Sequence, residues 1–243
     1  MEKSNKIYLA IIIICSVLVV GLCAYAIMNH KEIKETDAIK FKNEYESLNG
    51  YKNENSDKEY MKVEIDNENP IVYKTGQEIL DVLKKENAIV YFGFASCPWC
   101  RNAVPILLDA AKEEGLDKIY YVDILNIRDQ YKFSGSIEPE MIKKGTDAYY
   151  NILKFLDKKL EKYYVTDDSG NMYDTGVKRL YAPTVLAVKD GKALDLHVST
   201  LDSQEDPYTA LTDEQKKELK DIYKEMIKKV NDNNIACKQD EAC

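Results

Sequence analysis

Two cysteines separated by two residues, Cys97 and Cys100, are the side chains of this sequence best suited to chemistry. Pro98 and Trp99 lie between them, and the motif closely follows an apolar, β-branched and aromatic run, residues 89–94. Two thiols at this spacing on one helical turn can close a disulfide after a small adjustment. Because a thiolate is the nucleophile in disulfide exchange, the pair is a candidate reversible redox centre.

The dithiol is predicted to lie in the first turn of a helix, directly after a buried strand. The apolar positions behind it keep helical spacing: Val104, Leu107, Leu108 and Ala111. A cysteine at a helix N-terminus faces unpaired N–H groups and the positive end of the helix dipole, and both favour the thiolate. We therefore expect Cys97 to be the nucleophile and Cys100, the more buried thiol, to resolve the mixed disulfide. Pro105, inside this helix, is expected to have a structural role.

Other roles are possible for the dithiol and for the two cysteines near the end of the chain. The dithiol could be a static disulfide, or it could form a four-thiolate zinc site with Cys237 and Cys243. Those two tail cysteines could instead form a structural disulfide, or an auxiliary pair that passes electrons. We expect no metal and no bound cofactor, since the Cys97–Cys100 disulfide is itself the redox group.

The N-terminal part of the chain predicts a membrane anchor. Residues 7–28 hold no charged side chain over 22 positions, about 33 Å of helix, and a hydrocarbon core is about 30 Å thick. Lysines in the short segment 1–6 favour a cytoplasmic N-terminus, an anchor in the lipid bilayer and an extracytoplasmic domain. The alternative is a signal peptide cleaved near residues 24–26, where an A-x-A-like site occurs.

Composition divides the rest of the chain into four parts. Residues 29–60 are rich in charge and predict a solvated, partly helical tether. Residues 61–231 alternate strand and helix patterns, which predicts an α/β domain with parallel strands. Residues 126–175 interrupt that alternation. We expect a helical cap there, with a helix starting near Thr146 and a turn at 167–170 between two short strands; a partner-binding lid is the alternative. Residues 232–243 predict a polar tail.

Local signals fix several helix starts and one turn. Thr75 and Glu78 have the spacing of a capping box, as do Thr212 and Gln215. The pair at 190–191, Asp-Gly, favours a tight hairpin turn because it tolerates positive φ angles.

Charge and composition exclude some function classes. The net charge is −8, so no basic surface is available to displace counterions from nucleic acid. Two histidines and no paired serine give little support to a hydrolase. Arg101 follows the dithiol, and we expect it to face solvent.

Three local matches in order resemble the thioredoxin superfamily. The first is the dithiol motif after a strand, and the second is Pro105-Ile-Leu, eight residues after the first cysteine. The third is the segment 176–191 around Pro183-Thr, which is similar to the family's cis-proline segment. The resemblance covers about residues 63–230, apart from the insertion.

The resemblance implies a central mixed sheet flanked by helices, with the insertion before a cis-proline at Pro183. That proline would lie against the dithiol. The backbone of Ala182 would pair with a substrate segment by strand addition, and Trp99 would shape the surface beside Cys97. Tyr91 stands where thioredoxins often place a buried aspartate that helps to deprotonate the second thiol.

The expected function is a membrane-tethered, extracytoplasmic thiol–disulfide oxidoreductase. Its expected partners are cysteine-containing extracytoplasmic proteins and a membrane or extracytoplasmic electron donor or acceptor. The insertion and membrane segment resemble the bacterial thioredoxin-like proteins called bacteriocin-transport accessory proteins. The alternative function is a non-enzymatic scaffold or chaperone for a secreted peptide or its transporter.

Overall fold

A computed structural model describes the chain at residues 8, 12–22, 35–53, 56–135, 138–167 and 169–231. The chain divides into two units, Met1–Thr36 and Asp37–Cys243. In the first unit, residues 12–22 are helical and their large apolar side chains are exposed. Among the residues described, no helix meets the length and hydropathy needed to cross a membrane. Much of the predicted anchor, residues 7–28, lies outside the described residues, as does the segment 1–6.

The second unit contains, within its described residues, nine strands and five α-helices. The strands are β1 (Ile71–Tyr73), β2 (Ala88–Gly93), β3 (Ile119–Asp123), β4 (Gln130–Lys132), β5 (Glu140–Lys143), β6 (Glu161–Thr166), β7 (Met172–Arg179), β8 (Thr184–Lys189) and β9 (Lys192–Val198). The helices are α1 (Asp37–Glu46), α2 (Gly76–Lys85), α3 (Pro98–Glu113), α4 (Asp147–Leu156) and α5 (Asp213–Asn231). A 3-10 turn, Asp157–Lys159, follows α4.

Five strands form the central sheet, in the order β1-β3-β2-β8-β9. The first three are parallel to one another, and β8 and β9 are antiparallel to their neighbours. Strand β2 is buried along its whole length, which explains its continuous apolar sequence. The predicted α/β class, a mixed central sheet flanked by helices, is confirmed.

Helices cover both faces of this sheet. The β1–β2 and β2–β3 crossovers run in opposite directions across the strand order, so right-handed connections put α2 and α3 on opposite faces. Helix α3 packs against α5, which also contacts β2 and β8, while α2 packs against α4. The carboxyl ends of β2 and β3 and the start of the antiparallel β8 meet at one edge, where the loops carrying the candidate site converge.

The predicted caps and turn are confirmed. Thr75 and Glu78 form a reciprocal capping box at α2, and the Thr212 hydroxyl accepts a hydrogen bond from the N–H of Gln215 before α5. Thr146 caps α4 at the predicted position. Residues 190 and 191 have φ angles of 51° and 68°, as a tight hairpin turn requires.

Part of the segment expected to be a tether belongs to the folded domain. Residues 35–53 are described, and Phe41 and Tyr45 in α1 are fully buried against the sheet. The ring of Phe41 lies 4.9 Å from that of Tyr121 on β3. The two aromatic residues are four positions apart and form a buried stripe on one face of the helix. The many charged residues around them make this stripe hard to recognise in the sequence. The expectation of a solvated tether over 29–60 is therefore wrong for α1; residues 29–34 lie outside the described part.

The insertion is only partly helical, which corrects the expectation of a helical cap, whereas the two strands expected around residues 167–170 are confirmed as β6 and β7. Helix α4 is present, but β4 and β5 form one hairpin and β6 and β7 another. Stacked rings of Phe133 and Tyr173, with centroids 3.7 Å apart, join the two hairpins. The short and largely exposed strands β4 and β5 lack the apolar alternation by which strands are predicted.

Candidate redox site

The two thiols occupy the first turn of α3. Cys97 is the N-cap residue, and its Sγ accepts a hydrogen bond from the N–H of Cys100 at 3.4 Å. Pro98 occupies the first helical position, where its missing N–H costs nothing. The cap thus directs the Cys97 sulfur toward the backbone donors that stabilise a thiolate. Both cysteines are free thiols here, so the geometry is that of the reduced state.

Cys97 is the more acidic thiol. Its side chain is 5% exposed, and burial by itself raises a thiol pKa. Hydrogen bonds from the Cys100 thiol and from the N–H groups of Cys100 and Trp99 outweigh burial, with help from the Arg128 charge, and lower the pKa of Cys97. The arrangement favours Cys97 as the attacking thiolate.

Cys100 has the opposite character. It is fully buried, and burial, together with the hydrogen bond it donates to Cys97, raises its pKa well above the ordinary value. A hydrogen bond from the Tyr91 hydroxyl acts the other way. Cys100 is therefore held as a thiol until Cys97 has reacted, which suits a resolving residue.

Tyr91 places its phenol beside the buried thiol. Its hydroxyl is hydrogen-bonded to Cys100 and lies 2.8 Å from the Tyr45 hydroxyl. Burial raises the pKa of Tyr91 far above its ordinary value, so the phenol stays protonated and acts as a hydrogen-bond donor. Gly93 makes room for it: a Cβ at residue 93 would lie 2.2 Å from the Tyr91 oxygen.

The loop before β8 faces the dithiol. The Ala182–Pro183 peptide bond is cis, as the resemblance implies, and the Cys97 thiol lies 3.4 Å from the Ala182 carbonyl oxygen. No described residue accepts a hydrogen bond from the Ala182 N–H. Ala182 is partly exposed, so this backbone group is available to an extended segment from a partner.

Trp99 and Pro105 lie where the sequence suggested. Trp99 is partly buried at the start of α3, next to Cys97. Pro105 lies inside α3, eight residues beyond Cys97, where its ring cannot donate to the carbonyl of Arg101.

Arg101 is fully buried, so the expectation that it faces solvent is wrong. Its guanidinium donates to the carbonyl oxygens of Met61, Tyr45 and Ala95 and to the Asn49 side-chain oxygen, at 2.6 to 3.3 Å. Carbonyl dipoles, rather than a carboxylate, thus compensate its charge. Arg101 ties α1 and the following segment to the helix that bears both thiols.

Three contributors to the site were not predicted: Tyr45, the hydroxyl role of Tyr91, and Arg128. Tyr45 lies in α1, within the charged segment that was expected to be a tether outside the domain. Arg128 follows β3. It lies near Cys97 and Cys100 because β3 is paired in parallel with β2, so that both strands end at the same edge of the sheet. The sequence did contain one signal that could have singled out Arg128. Only three of the 34 basic residues are arginine, at positions 101, 128 and 179.

The tail cysteines Cys237 and Cys243, like the whole segment 232–243, lie outside the described residues. Among the residues that are described, no three histidine, cysteine or carboxylate side chains cluster as a metal site would require. A pairing of the tail cysteines stays a prediction.

Comparisons with protein-family models and with curated proteins gave no match to this chain.

Proposed function

We propose that the chain is a thiol–disulfide oxidoreductase of thioredoxin-like fold, working through Cys97 and Cys100. The main observation behind this proposal is the asymmetry of the two thiols: an acidic cap cysteine and a buried, weakly acidic partner three residues on. A mixed sheet, a dithiol after its second strand and a cis-proline before β8 support the same family.

The chemistry follows from that asymmetry. The Cys97 thiolate attacks one sulfur of a partner disulfide, forming a mixed disulfide and releasing the partner's other sulfur as a thiolate. The Cys100 thiol then loses its proton to solvent or to the leaving thiolate and attacks Cys97 Sγ. The products are the Cys97–Cys100 disulfide and a reduced partner, so two electrons pass to the partner. The reverse sequence oxidises a dithiol partner.

Tyr91 has a defined part in the second step. A protonated phenol cannot accept the proton of Cys100, but it can donate a hydrogen bond to the thiolate as it forms. Tyr91 thus positions and stabilises the Cys100 sulfur. It does not take the proton of Cys100, as a buried carboxylate at this position could.

We place the reaction outside the cytoplasm, with the chain anchored by residues 7–28. The support is the uncharged 22-residue length of that segment and the lysines before it. The partners would be cysteine-containing extracytoplasmic proteins and an electron donor or acceptor in the same compartment.

Trapping tests the proposal in cells. A Cys100→Ser chain cannot resolve the mixed disulfide between Cys97 and its partner. Such mixed disulfides should therefore accumulate, and they should disappear when a reductant is added. A chain with both Cys97→Ser and Cys100→Ser is the matched control, and it should lack the adducts that form through Cys97. Absence of reducible adducts in the Cys100→Ser chain, despite normal expression, would contradict the proposal.

A scaffold function is the second candidate, and one observation favours it. The insertion hairpins expose Met141, Ile142 and Met172, with 47 to 66% of each side chain accessible. Such side chains are suited to contact another protein. A scaffold would keep its cellular activity when both thiols are replaced by serine, whereas an oxidoreductase would lose it.

A further inference from the structure

Two of the three arginines in this acidic chain lie at the edge of the sheet that bears Cys97. Arg128 follows β3 and Arg179 ends β7, three residues before Ala182. The other 31 basic residues are lysines, since 34 minus three leaves 31. Arginine differs from lysine in presenting a planar fork of donors that fits a carboxylate, and it tolerates burial better.

Arg128 lies against the loop that leads to Cys97. The centre of its guanidinium is 4.8 Å from the ring centroid of Phe94, and the Phe94 carbonyl accepts the N–H of Cys97 at 3.1 Å. The side chain is partly exposed, and its buried Nε has no hydrogen-bond partner among the described residues. The charge of Arg128 is close enough to act on the Cys97 sulfur.

Arg179 lies near the loop that precedes β8, and its charge acts on Arg128. It is 6% exposed, and its guanidinium lies 3.8 Å from the ring centroid of Tyr163 and 5.8 Å from that of Tyr181, the residue before Ala182. Its buried Nη1 likewise has no described partner. A buried guanidinium with an unused donor close to the Ala182 backbone is an unsatisfied polar group.

Neither guanidinium group forms an ion pair with a carboxylate of the described residues. Asp129 is the acidic residue whose charge acts on both guanidinium groups. It is 1% exposed, yet it forms no ion pair with either arginine, and its Oδ1 is also unpartnered within the described part of the chain. Asp123, the last residue of β3, also acts on Arg128, so two carboxylates lie near the two guanidinium groups, and neither carboxylate is hydrogen-bonded to them within the described residues.

We propose that Arg128 and Arg179 form a carboxylate-binding site beside Cys97, which selects peptide disulfides with an acidic side chain next to the reactive cysteine. This inference rests on the proposed function, because it names the substrate class of that reaction. The extended substrate segment pairs with Ala182, and its neighbouring carboxylate binds the two guanidinium groups.

The test uses the full chain with Cys100→Ser, so that the reaction stops at the mixed disulfide. The probes are symmetric disulfides of a short peptide with blocked termini, with glutamate, glutamine or lysine beside the cysteine. The rate constant for adduct formation is measured by mass spectrometry and divided by the rate constant of the same peptide with dithiothreitol. The division removes differences in the intrinsic reactivity of the peptides.

The glutamate peptide should react about tenfold faster than the glutamine peptide, and the lysine peptide more slowly than either. Replacing Arg128 by glutamine should bring the glutamate-to-glutamine ratio near one, and Arg128→Lys should restore part of it. Arg179→Gln should also lower the ratio, with circular dichroism verifying that this chain is folded. The matched control is Lys132→Gln, which removes one charge from the exposed end of β4 and should leave the ratio unchanged.

Because the readout is a ratio of substrates, the effect of Arg128 on Cys97 acidity cancels. A ratio near one in the chain with both arginines, while the glutamine peptide reacts well, overturns the carboxylate site and leaves the oxidoreductase standing. A high ratio unaffected by Arg128→Gln overturns the assignment to these residues. No adduct with any peptide overturns both this inference and the proposed function.

Discussion

At the scale of single residues, the account depends on two sulfur atoms in unlike environments. Cys97 receives hydrogen bonds from its own helix, and Cys100 donates one from a fully buried position. The same helix start therefore lowers the pKa of one thiol and raises the pKa of the other. Under the proposed function, this difference would let Cys97 attack the partner disulfide and Cys100 resolve the mixed disulfide.

The acidity of Cys97 predicts the pH dependence of its alkylation. Only the thiolate reacts, so the rate of carbamidomethylation of reduced Cys97 should rise through a midpoint below the ordinary pKa of a thiol. Replacing Cys100 by alanine or Arg128 by glutamine removes groups that stabilise the thiolate, so each should move the midpoint upward. The Cys97 peptide is followed by mass spectrometry, and a wild-type midpoint above the ordinary value would contradict the assignment of the nucleophile.

Tyr91→Phe tests the phenol beside Cys100. The variant should slow resolution of the mixed disulfide by about tenfold, because the forming thiolate loses a hydrogen bond worth about 1.5 kcal/mol. Rapid-quench kinetics with a peptide disulfide separate this step from the attack by Cys97, which should change little.

Tyr121→Phe is the matched control for that prediction. The Tyr121 hydroxyl is buried with no hydrogen-bond partner in the described structure, so removing it should leave both steps unchanged and cost little or no stability. Equal effects of the two substitutions would show that Tyr91 acts only through packing.

At the scale of elements, α1 is part of the domain that supports the dithiol. Phe41 and Tyr45 are buried against the sheet, and Arg101 joins the end of α1 to the start of α3. Tyr45 also completes the hydroxyl pair with Tyr91. The position of the thiols therefore depends on a segment that precedes the first strand.

Arg101→Met should destabilise the fold by about 3 kcal/mol, because three carbonyl oxygens and the Asn49 oxygen lose their donor inside the protein. The measurement is urea unfolding of the reduced chain, following circular dichroism. Lys112→Met, on the exposed part of the same helix, is the control and should change the free energy of unfolding by less than about 0.5 kcal/mol. A similar small effect of Arg101→Met would show that its hydrogen bonds do not hold α1 in place.

Elements with strong local signals could be predicted from the sequence. The capping box of Thr75 and Glu78 predicted the start of α2, and the Asp-Gly pair at 190–191 predicted the turn between β8 and β9. A continuous run of apolar residues predicted the buried strand β2. A partly helical segment was expected over residues 29–60, but the burial of α1 against the sheet could not be predicted, because its two buried aromatic residues are diluted by charged neighbours. The pairing of β4 with β5 depends on tertiary contacts such as the stack of Phe133 on Tyr173.

At the scale of the whole molecule, the site results from three loops meeting at one sheet edge. Cys97 follows β2, Arg128 follows β3 and Ala182 precedes β8. The dithiol and the cis-proline were identifiable from motifs that are local in sequence. The placement of Arg128 and Arg179 was not, since it depends on strand order and register over more than 80 residues.

The proposed topology predicts which face of a membrane the site occupies. In intact cells, a membrane-impermeant thiol reagent should label reduced Cys97, identified in its tryptic peptide by mass spectrometry. A Cys97→Ser chain is the control for the identity of that peptide. Labelling only after the cells are broken open would place the domain in the cytoplasm and contradict the proposed anchor orientation.

Redox equilibration of the full chain tests the central claim most directly. The chain is held in buffers of varied reduced-to-oxidised glutathione ratio, quenched in acid and alkylated, and the peptide containing Cys97 and Cys100 is weighed. We predict that both thiols disappear together as the buffer becomes oxidising and return together when it is reversed, from either starting state. Two free thiols at every ratio, or a disulfide that no ratio reduces, would contradict a reversible redox centre.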